Sequence, residues 1–180
     1  MEAERHRIKI NEAFYLSPSE AGDKYALAAH LNDEAVYNNT LKLPYPYTID
    51  HAIKFLQYCE DQKVKFGKDM EWRIRDANGN AVGGVSLLGK YEVGSHKDEI
   101  GYWLARPHWG KGVMALALKE FCDYAFREYD LARLEANVFA HNAASKRVLE
   151  KAGFDYEGFV KRAYLKNGNY IDAYQYGLLR

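Results

Sequence analysis

Two glycines stand where a predicted strand gives way to a predicted helix. Trp109-Gly110-Lys111-Gly112 follows the strand pattern of Glu99–Ala105 and precedes a helical pattern that extends to about Tyr129. A helix N-terminus offers free backbone N–H groups and the positive end of the helix dipole, and glycine lets an anion approach the backbone closely. This arrangement predicts a phosphate-binding site. A tight strand-to-helix turn without any ligand is the alternative, because it needs the same two glycines.

The spacing Gly110-x-Gly112-x-x-Ala115 also fits the fingerprint of dinucleotide-binding proteins. That fingerprint normally lies in the first strand–helix unit of a domain, whereas here it begins at residue 110 and follows a loop that contains Pro107. Glu135, the acidic residue at roughly the right distance, falls in the middle of a predicted strand, where a ribose contact is awkward. We therefore do not expect a nicotinamide or flavin dinucleotide.

The composition is balanced in charge and rich enough in apolar residues for a folded core. The 180 residues include 25 basic and 25 acidic side chains, for a formal net charge of 0, and 48 % are hydrophobic. Nucleic-acid-binding proteins normally show a basic stripe, so we expect no nucleic-acid partner. No run of about 18 apolar residues occurs, so we expect no membrane span. The polar start of the chain lacks the apolar core of a signal peptide, and we expect a cytoplasmic protein.

The metal-binding residue types are few and scattered. Cys59 and Cys122 lie far apart among apolar residues, which is typical of small buried side chains in a reducing compartment. The six histidines show no metal-ligand spacing such as H-x-x-x-H, and neither cysteine pairs with one of them. We expect no metal site.

The elements that must position these residues alternate between helix and strand signals. Asn78-Gly79 and Asn167-Gly168 each separate two strand-like runs, which predicts two β-hairpins. Ser17 and Pro18 are predicted to start the first helix, as its N-cap and first helical residue. Thr48 is predicted to cap a long helix. The expected buried face of that helix consists of Ile49, Ala52, Ile53, Leu56 and Cys59.

The order of the elements predicts a mixed α/β (α+β) fold. Antiparallel hairpins lie near both ends, and a strand–helix–strand crossover connects Ile100 with Ala140. Strands are predicted at 14–16, 70–77, 81–88, 99–105, 131–140, 156–165 and 170–179. The whole chain, 1–180, is expected to form a single domain.

A longer ordered set of motifs carries a family resemblance. Glu99-Ile100-Gly101-Tyr102-Trp103-Leu104, Trp109-Gly110-Lys111-Gly112 and the segment from Asn142 to Phe154 occur in that order, after the loop Leu43–Thr48. Together they resemble the GNAT N-acetyltransferase superfamily, and within it the RimJ/RimL branch, over roughly residues 8–178. The resemblance implies a mostly antiparallel sheet of about 6–7 strands with about 4 helices, and two splayed strands that hold the cofactor.

The resemblance also implies where acetyl-CoA, the co-substrate, would bind. Its pantetheine arm would pair with the main chain near the strand ending at Ala105, and its pyrophosphate would lie on the helix N-terminus. The residues implied in cofactor binding are Tyr102, Trp103, Leu104, Trp109, Gly110, Lys111, Gly112, Val113, Met114, Asn142 and Ser145. For Lys111, an exposed loop lysine without a role is an equally good interpretation.

The implied reaction is direct transfer of an acetyl group to a primary amine. Glu99 matches a strand glutamate that several members use as a base through water, and a main-chain N–H near Leu104 would stabilise the oxyanion. An edge-strand glutamate without a role is the alternative for Glu99. Many members place a tyrosine seven residues after the position of Asn142, but here that residue is Leu149. A catalytically silent acyl-CoA-binding module of the same fold is therefore the alternative function.

The acceptor would bind under a stiff loop. Tyr45 and Tyr47 alternate with Pro44 and Pro46, and the family places this loop over the acceptor site, so both tyrosines are predicted to contact substrate. A hydrophobic plug that pins the first helices to the sheet is the alternative. The acceptor is expected to be a protein N-terminus or a small-molecule amine, and the protein a monomer or homodimer.

Overall fold

The computed structural model describes residues 7–180, whose strands join in a single sheet with helices on both faces. The strands are β1 (Ile8–Lys9), β2 (Phe14–Pro18), β3 (Glu71–Asp76), β4 (Ala81–Leu87), β5 (Lys97–Leu104), β6 (Arg133–Phe139), β7 (Asp155–Lys166) and β8 (Asn169–Leu179). The helices are α1 (Lys24–Leu31), α2 (Glu34–Asn38), α3 (Ile49–Phe66), α4 (Val113–Glu128) and α5 (Ala143–Lys151). Short 3-10 turns occupy Ala21–Asp23 and Arg106–His108.

The sheet order is β1-β2-β3-β4-β5-β6-β8-β7, and every neighbouring pair except one is antiparallel. The exception is β5–β6, which is parallel and joined by the crossover helix α4. Both predicted hairpins, β3–β4 and β7–β8, are confirmed. The sheet has eight strands, one more than the resemblance implies. The strand that the sequence did not predict is β1, whose two residues are too few to show any periodicity.

The sheet separates two apolar cores, one on each of its faces. The larger one packs α4 and α5 against residues such as Trp72 and Leu134. The smaller one packs α1, α2 and the start of α3 against the other face, where Trp103 contacts it. Because side chains of a strand alternate between faces, Ile100, Tyr102 and Leu104 face the larger core while Trp103 faces the smaller one.

The predicted helix start at Ser17 and Pro18 is wrong. Both residues pair with β3 as the end of β2, and α1 begins only at Lys24. The Ser17 hydroxyl accepts a hydrogen bond from Arg75 Nε at 2.7 Å instead of capping a helix. Proline is tolerated here because it is the last residue of the strand, beyond the pairing with β1.

The predicted N-cap of α3 is confirmed, but its predicted buried face is only partly right. The Thr48 hydroxyl accepts a hydrogen bond from the backbone N–H of His51. Ala52 and Cys59 are buried, whereas Ile49 and Ile53 are 37 % and 47 % exposed. Successive helical residues are rotated by about 100°, so a face centred on Ala52 and Cys59 turns these two isoleucines to the side.

Within residues 7–180, no helix is both long and apolar enough to cross a membrane. In the same part of the chain, no three histidine, cysteine, aspartate or glutamate side chains cluster in a way that could hold a metal ion.

Candidate active site

A wedge opens between β5 and β6, where the two parallel strands stop pairing. Their register runs from Lys97 with Arg133 to Glu99 with Glu135 and ends there. Beyond that point β5 continues along β4 as far as Leu104, while β6 continues along β8. The facing edges, 100–104 and 136–139, are therefore not paired with each other. An extended ligand with amide groups could pair with such an edge as an added strand.

The N-terminus of α4 lies beyond the far end of this wedge. Gly110 and Gly112 have φ angles of 74° and 77°, in the left-handed region that favours glycine, and a Cβ on either residue would meet no atom within 4 Å. Gly112 is the N-cap of α4 and supplies no side-chain cap. Free N–H groups at a helix N-terminus, with space beside both glycines, fit the pyrophosphate of a nucleotide ligand. Lys111 is exposed between the two glycines.

The loop that leads to these glycines is fastened at two points. The Trp109 indole N–H donates to the carbonyl of Leu104 at 2.6 Å, which folds the loop back onto the end of β5. The Arg106 guanidinium donates to the Asp33 carboxylate at 2.6 Å. Asp33 is the N-cap of α2 and accepts from the N–H of Ala35, and the hydrogen bond from Arg106 lowers the pKa of Asp33.

The other predicted cofactor-binding residues differ in whether their side chain or only their main chain can reach the wedge. The Tyr102 hydroxyl lies 2.6 Å from Ser145 Oγ and joins β5 to the first turn of α5. Asn142 is the N-cap of α5, and its side-chain oxygen accepts from the Ser145 N–H at 3.0 Å. Val113 and Met114 bury their side chains in the core, so only their main chain is free to line a ligand site. The Trp103 side chain points to the smaller core, on the other face of the sheet, so its main chain alone lines the edge of β5.

Glu99 lies at the closed end of the wedge and is only 7 % exposed. Its carboxylate forms an ion pair with the ammonium of Lys90, a residue of the loop between β4 and β5. The hydrogen bond to Glu99 raises the pKa of Lys90, so this ammonium is firmly protonated near neutral pH. Burial and the charge of Glu99 raise the pKa of Tyr164 on β7, whereas the charge of Lys90 lowers it.

Glu135, the register partner of Glu99, has a different environment. It accepts hydrogen bonds from Tyr91, from Arg133 Nε at 2.9 Å and from Lys97 Nζ at 3.1 Å. Burial alone would raise its pKa, but these donors lower the pKa of Glu135 to about 2. A carboxylate held so firmly in its ionised form is a poor proton acceptor near neutral pH.

The two tyrosines of the proline-flanked loop have separate roles in the fold. Tyr47 is 5 % exposed, packs in the smaller core, and donates its backbone N–H to Asn32 Oδ1 at 3.0 Å. For Tyr47 this burial agrees with the alternative interpretation, a hydrophobic plug that pins the first helices to the sheet. Tyr45 is 48 % exposed and its ring lies 5.3 Å from that of Tyr37. Of these two tyrosines, only Tyr45 leaves about half of its surface accessible to a ligand.

The tip of the β7–β8 hairpin approaches the same region. Lys166 Nζ donates to the carbonyls of Tyr37 and Thr40 and lies 3.6 Å from the centre of the Tyr37 ring. The Asn167 side chain donates to the Tyr37 hydroxyl at 2.6 Å. The hairpin tip, α2 and the loop bearing Tyr45 thus form one connected wall on the face of the smaller core.

A second buried carboxylate lies on this face of the sheet. Glu71 of β3 is in register with Ser86 of β4, and Ser86 is in register with Gly101 of β5. Arg73 Nη1 donates to Glu71 at 3.4 Å, and the Arg73 side chain is fully buried. Burial raises the pKa of Glu71 to about 7, against the opposing effects of Arg73 and Ser86.

Sequence reasoning missed Lys90, Arg106 and Glu71. Lys90 and Arg106 lie in loops that carry no periodic signal, and their partners depend on strand register and helix packing. Glu71 is visible only as a charged residue at the start of a strand, and that position alone does not predict a buried carboxylate.

Comparisons with known proteins agree with this geometry. The family model described as an acetyltransferase (GNAT) domain matches residues 14–155. The probable N-acetyltransferase YjcK of Bacillus subtilis is 43 % identical over 129 residues, which cover 70 % of each chain. The L-amino acid N-acetyltransferase AaaT of Escherichia coli is 27 % identical over 140 residues, covering 77 % of this chain and 81 % of AaaT. The fold matches RimL, a ribosomal L7/L12 alpha-N-protein acetyltransferase solved with coenzyme A, with a TM-score of 0.84, 22 % identity, and coverage of 97 % and 98 %.

Proposed function

Because this chain belongs to the GNAT family of N-acetyltransferases, we propose that it transfers an acetyl group from acetyl-CoA directly to a primary amine. The proposed acceptor is a protein N-terminus or a small-molecule amine, the two classes named for the relatives RimL and AaaT. The resemblance to the RimJ/RimL branch is supported by the fold match to RimL over nearly the whole chain. We place the whole chain, 1–180, in one such domain of a cytoplasmic monomer or homodimer.

The observation that carries the proposal is the pairing of β5 and β6, which ends at Glu99 and Glu135 and leaves the rest of β5 unpaired on that side before the chain reaches the α4 N-terminus. The pyrophosphate of acetyl-CoA would accept hydrogen bonds from the main chain of residues 110–114. The pantetheine arm would then follow the unpaired edge of β5 back towards Glu99. In this arrangement the thioester is the end of the ligand nearest the closed end of the wedge.

The acceptor amine would approach from the face covered by α1, α2 and α3. Glu99 lies on that face, since it alternates with Ile100 and shares the orientation of Trp103. An amine arrives mostly as an ammonium with a pKa of about 8 to 10 and must lose a proton before it can attack. Glu99 would accept that proton, directly or through water, while Glu135 is held ionised by its three donors.

The leaving thiolate needs a proton donor other than Leu149. Leu149 is fully buried in the larger core and has no proton to give. The Tyr102 hydroxyl, which faces that core beside the wedge and bonds to Ser145, is the donor that we propose. Burial raises the pKa of Tyr102, so this phenol still holds its proton at neutral pH when the thiolate leaves, but the same burial makes it a weaker acid.

The proposal is tested with purified protein, acetyl-CoA and a panel of peptides and small amines, with release of free thiol as the readout. We expect at least one primary amine to accelerate thiol release above the background hydrolysis of acetyl-CoA. The variant Gly112→Asp serves as the control and should lose this acceleration. A protein that binds acetyl-CoA in calorimetry but turns over no amine of the panel would instead be a silent acyl-CoA-binding module.

A further inference from the structure

Lys90 brings a primary amine of the protein itself to the proposed base. Its ammonium contacts the Glu99 carboxylate, and its side chain is half exposed while that of Glu99 is almost entirely buried. The loop is not free at this point, because the Asp98 carboxylate accepts the backbone N–H groups of Gly89 and Lys90 at 3.1 and 3.2 Å. The backbone of Lys90 is therefore anchored to Asp98 of β5, and its ammonium is held at the Glu99 carboxylate by charge.

Tyr91, the residue after Lys90, makes a similar contact with a carboxylate on β6, the other strand of the wedge. The Tyr91 hydroxyl donates to Glu135, which is the direct register partner of Glu99. Two consecutive side chains of the loop thus reach the two carboxylates where β5 and β6 begin to separate. Among the charged and titratable groups, Glu99 contacts the Lys90 ammonium, and the charges of Tyr91 and Tyr164 also raise the pKa of Lys90.

We infer that Lys90 is itself an acceptor, so that the protein acetylates Lys90 Nζ when acetyl-CoA is bound and no external amine occupies the site. This inference rests on the proposed function, which supplies the acetyl donor and the role of Glu99. The position of Lys90 Nζ against Glu99 is the position that an incoming amine must reach, and the thioester end of the ligand would lie beside it. Proximity of this kind converts a bimolecular step into an intramolecular one.

The transfer balances without any further reactant. The Lys90 ammonium gives one proton to the Glu99 carboxylate, and the neutral Nζ then forms a bond with the thioester carbonyl carbon. The carbon–sulfur bond breaks, the thiolate leaves with the bonding pair, and protonation releases it as free CoA. The nitrogen loses its second proton as the amide forms, and this proton balances the one that the thiolate takes up, so that the proton on Glu99 is the one left over. The product has no positive charge on Lys90, so Glu99 loses the ion pair that holds it.

Lys97 is the matched control within the chain. Its ammonium also forms an ion pair with a carboxylate of the same wedge, at 3.1 Å from Glu135, and about a third of its side chain is exposed. Glu135 is held by two further donors, Tyr91 and Arg133, and is not the proposed base. Chemical acetylation by free acetyl-CoA should treat both lysines alike, whereas the inferred reaction selects Lys90.

The test incubates purified protein with isotope-labelled acetyl-CoA and no amine, and follows the Lys90 and Lys97 peptides by mass spectrometry. We expect Lys90 to be acetylated at least about tenfold faster than Lys97, with a fractional rate independent of protein concentration. Gly112→Asp and Glu99→Gln should each slow the Lys90 reaction by about tenfold or more and leave Lys97 unchanged. Any one of three results would overturn the inference. The two lysines react at equal rates, Glu99→Gln leaves the Lys90 rate unchanged, or the Lys90 rate rises with protein concentration.

Two further measurements separate this inference from the proposed function. Without acetyl-CoA, an NMR titration of Lys90 should show a pKa above the ordinary lysine value that falls in Glu99→Gln, and an unshifted titration overturns the contact. The amine panel is run in parallel on the same preparation. Turnover of an external amine with no acetylation of Lys90 overturns this inference alone. Absence of acetyl-CoA binding in calorimetry overturns both.

Discussion

The hydroxyl groups of Tyr102 and Ser145 lie 2.6 Å apart and connect β5 to the first turn of α5 beside the wedge. These two residues are 43 positions apart in the chain, and the contact depends on the crossover that brings α5 next to β5. Since Leu149 supplies no hydroxyl, this pair is the proton source that we propose for the leaving thiolate.

Tyr102→Phe should therefore lower kcat by about tenfold while the Kd for acetyl-CoA stays nearly the same. The proposed contact of residue 102 with the ligand uses its main chain, which the substitution keeps. Steady-state kinetics and calorimetry measure the two quantities. Tyr129→Phe is the matched control, since it removes a partly buried hydroxyl that donates to the backbone carbonyl of Asp69 and should leave kcat unchanged. An unchanged kcat in Tyr102→Phe excludes the phenol as the proton donor.

Gly112→Asp should weaken acetyl-CoA binding by more than about tenfold, because it places a side chain and a negative charge in front of the α4 N-terminus. Calorimetry with the folded variant measures this effect. The control is Gly67→Asp, since Gly67 ends α3 with a φ of 69°, and a Cβ added there would also meet no atom within 4 Å. Both variants carry the same kind of backbone strain, so only a loss specific to Gly112 supports the phosphate site.

Glu99→Gln should lower the rate of amine acetylation by roughly 10² and leave the affinity for acetyl-CoA near that of the wild type. The apparent pH optimum should rise, because the amine must then lose its proton unaided. Glu135→Gln should keep the shape of the pH–rate profile, since that carboxylate stays ionised down to a pH of about 2. A pH–rate profile that Glu99→Gln leaves unchanged would reduce Glu99 to a scaffold residue.

Tyr45→Ala and Tyr47→Ala should have different effects, because the first side chain is exposed and the second is buried. Tyr45→Ala should raise the acceptor KM and leave the Tm nearly unchanged. Tyr47→Ala should lower the free energy of unfolding by about 3 kcal/mol, since it removes a ring from the smaller core. Each variant is the control for the other. An unchanged acceptor KM in Tyr45→Ala would show that the loop only supports the fold.

Glu71 should make the stability depend on pH between about 4.5 and about 7. Its pKa is higher in the folded protein than in the unfolded chain, so the folded state binds the proton more tightly. The stabilising contribution is therefore complete below the unfolded pKa and is lost as the pH rises through the folded one. The loss is at most about 3 kcal/mol.

Glu71→Gln should remove most of this pH dependence, which denaturant unfolding at about pH 5 and about pH 8 would measure. The exposed Glu92 provides the control, because Glu92→Gln should change the pH dependence little. If Glu71→Gln loses as much unfolding free energy between these two pH values as the wild type does, the pH dependence belongs to another group.

The local features of the fold were predictable from the sequence, whereas contacts between distant segments were not. Asn78-Gly79 and Thr48 predict a hairpin and a helix start because a few neighbouring residues determine both. Ser17 and Pro18 carry an equally clear local signal for a helix, but pairing with β3 overrides it. The order of motifs placed Glu99 on its strand, yet its ion pair with Lys90 requires the path of a loop without periodicity.

The bridge between Arg106 and Asp33 connects the two halves of the candidate site. Arg106 lies in the loop that leads to the glycines before α4. Asp33 caps α2, whose Tyr37 packs against Tyr45 in the connected wall on the face of the smaller core. A ligand that shifts the loop will therefore also shift the first turn of α2. Binding free energies are reciprocal, so under the proposed function acetyl-CoA and the acceptor would change each other's affinity by the same factor. Because this coupling is symmetric, it would set how strongly each ligand favours the other and not which of them binds first.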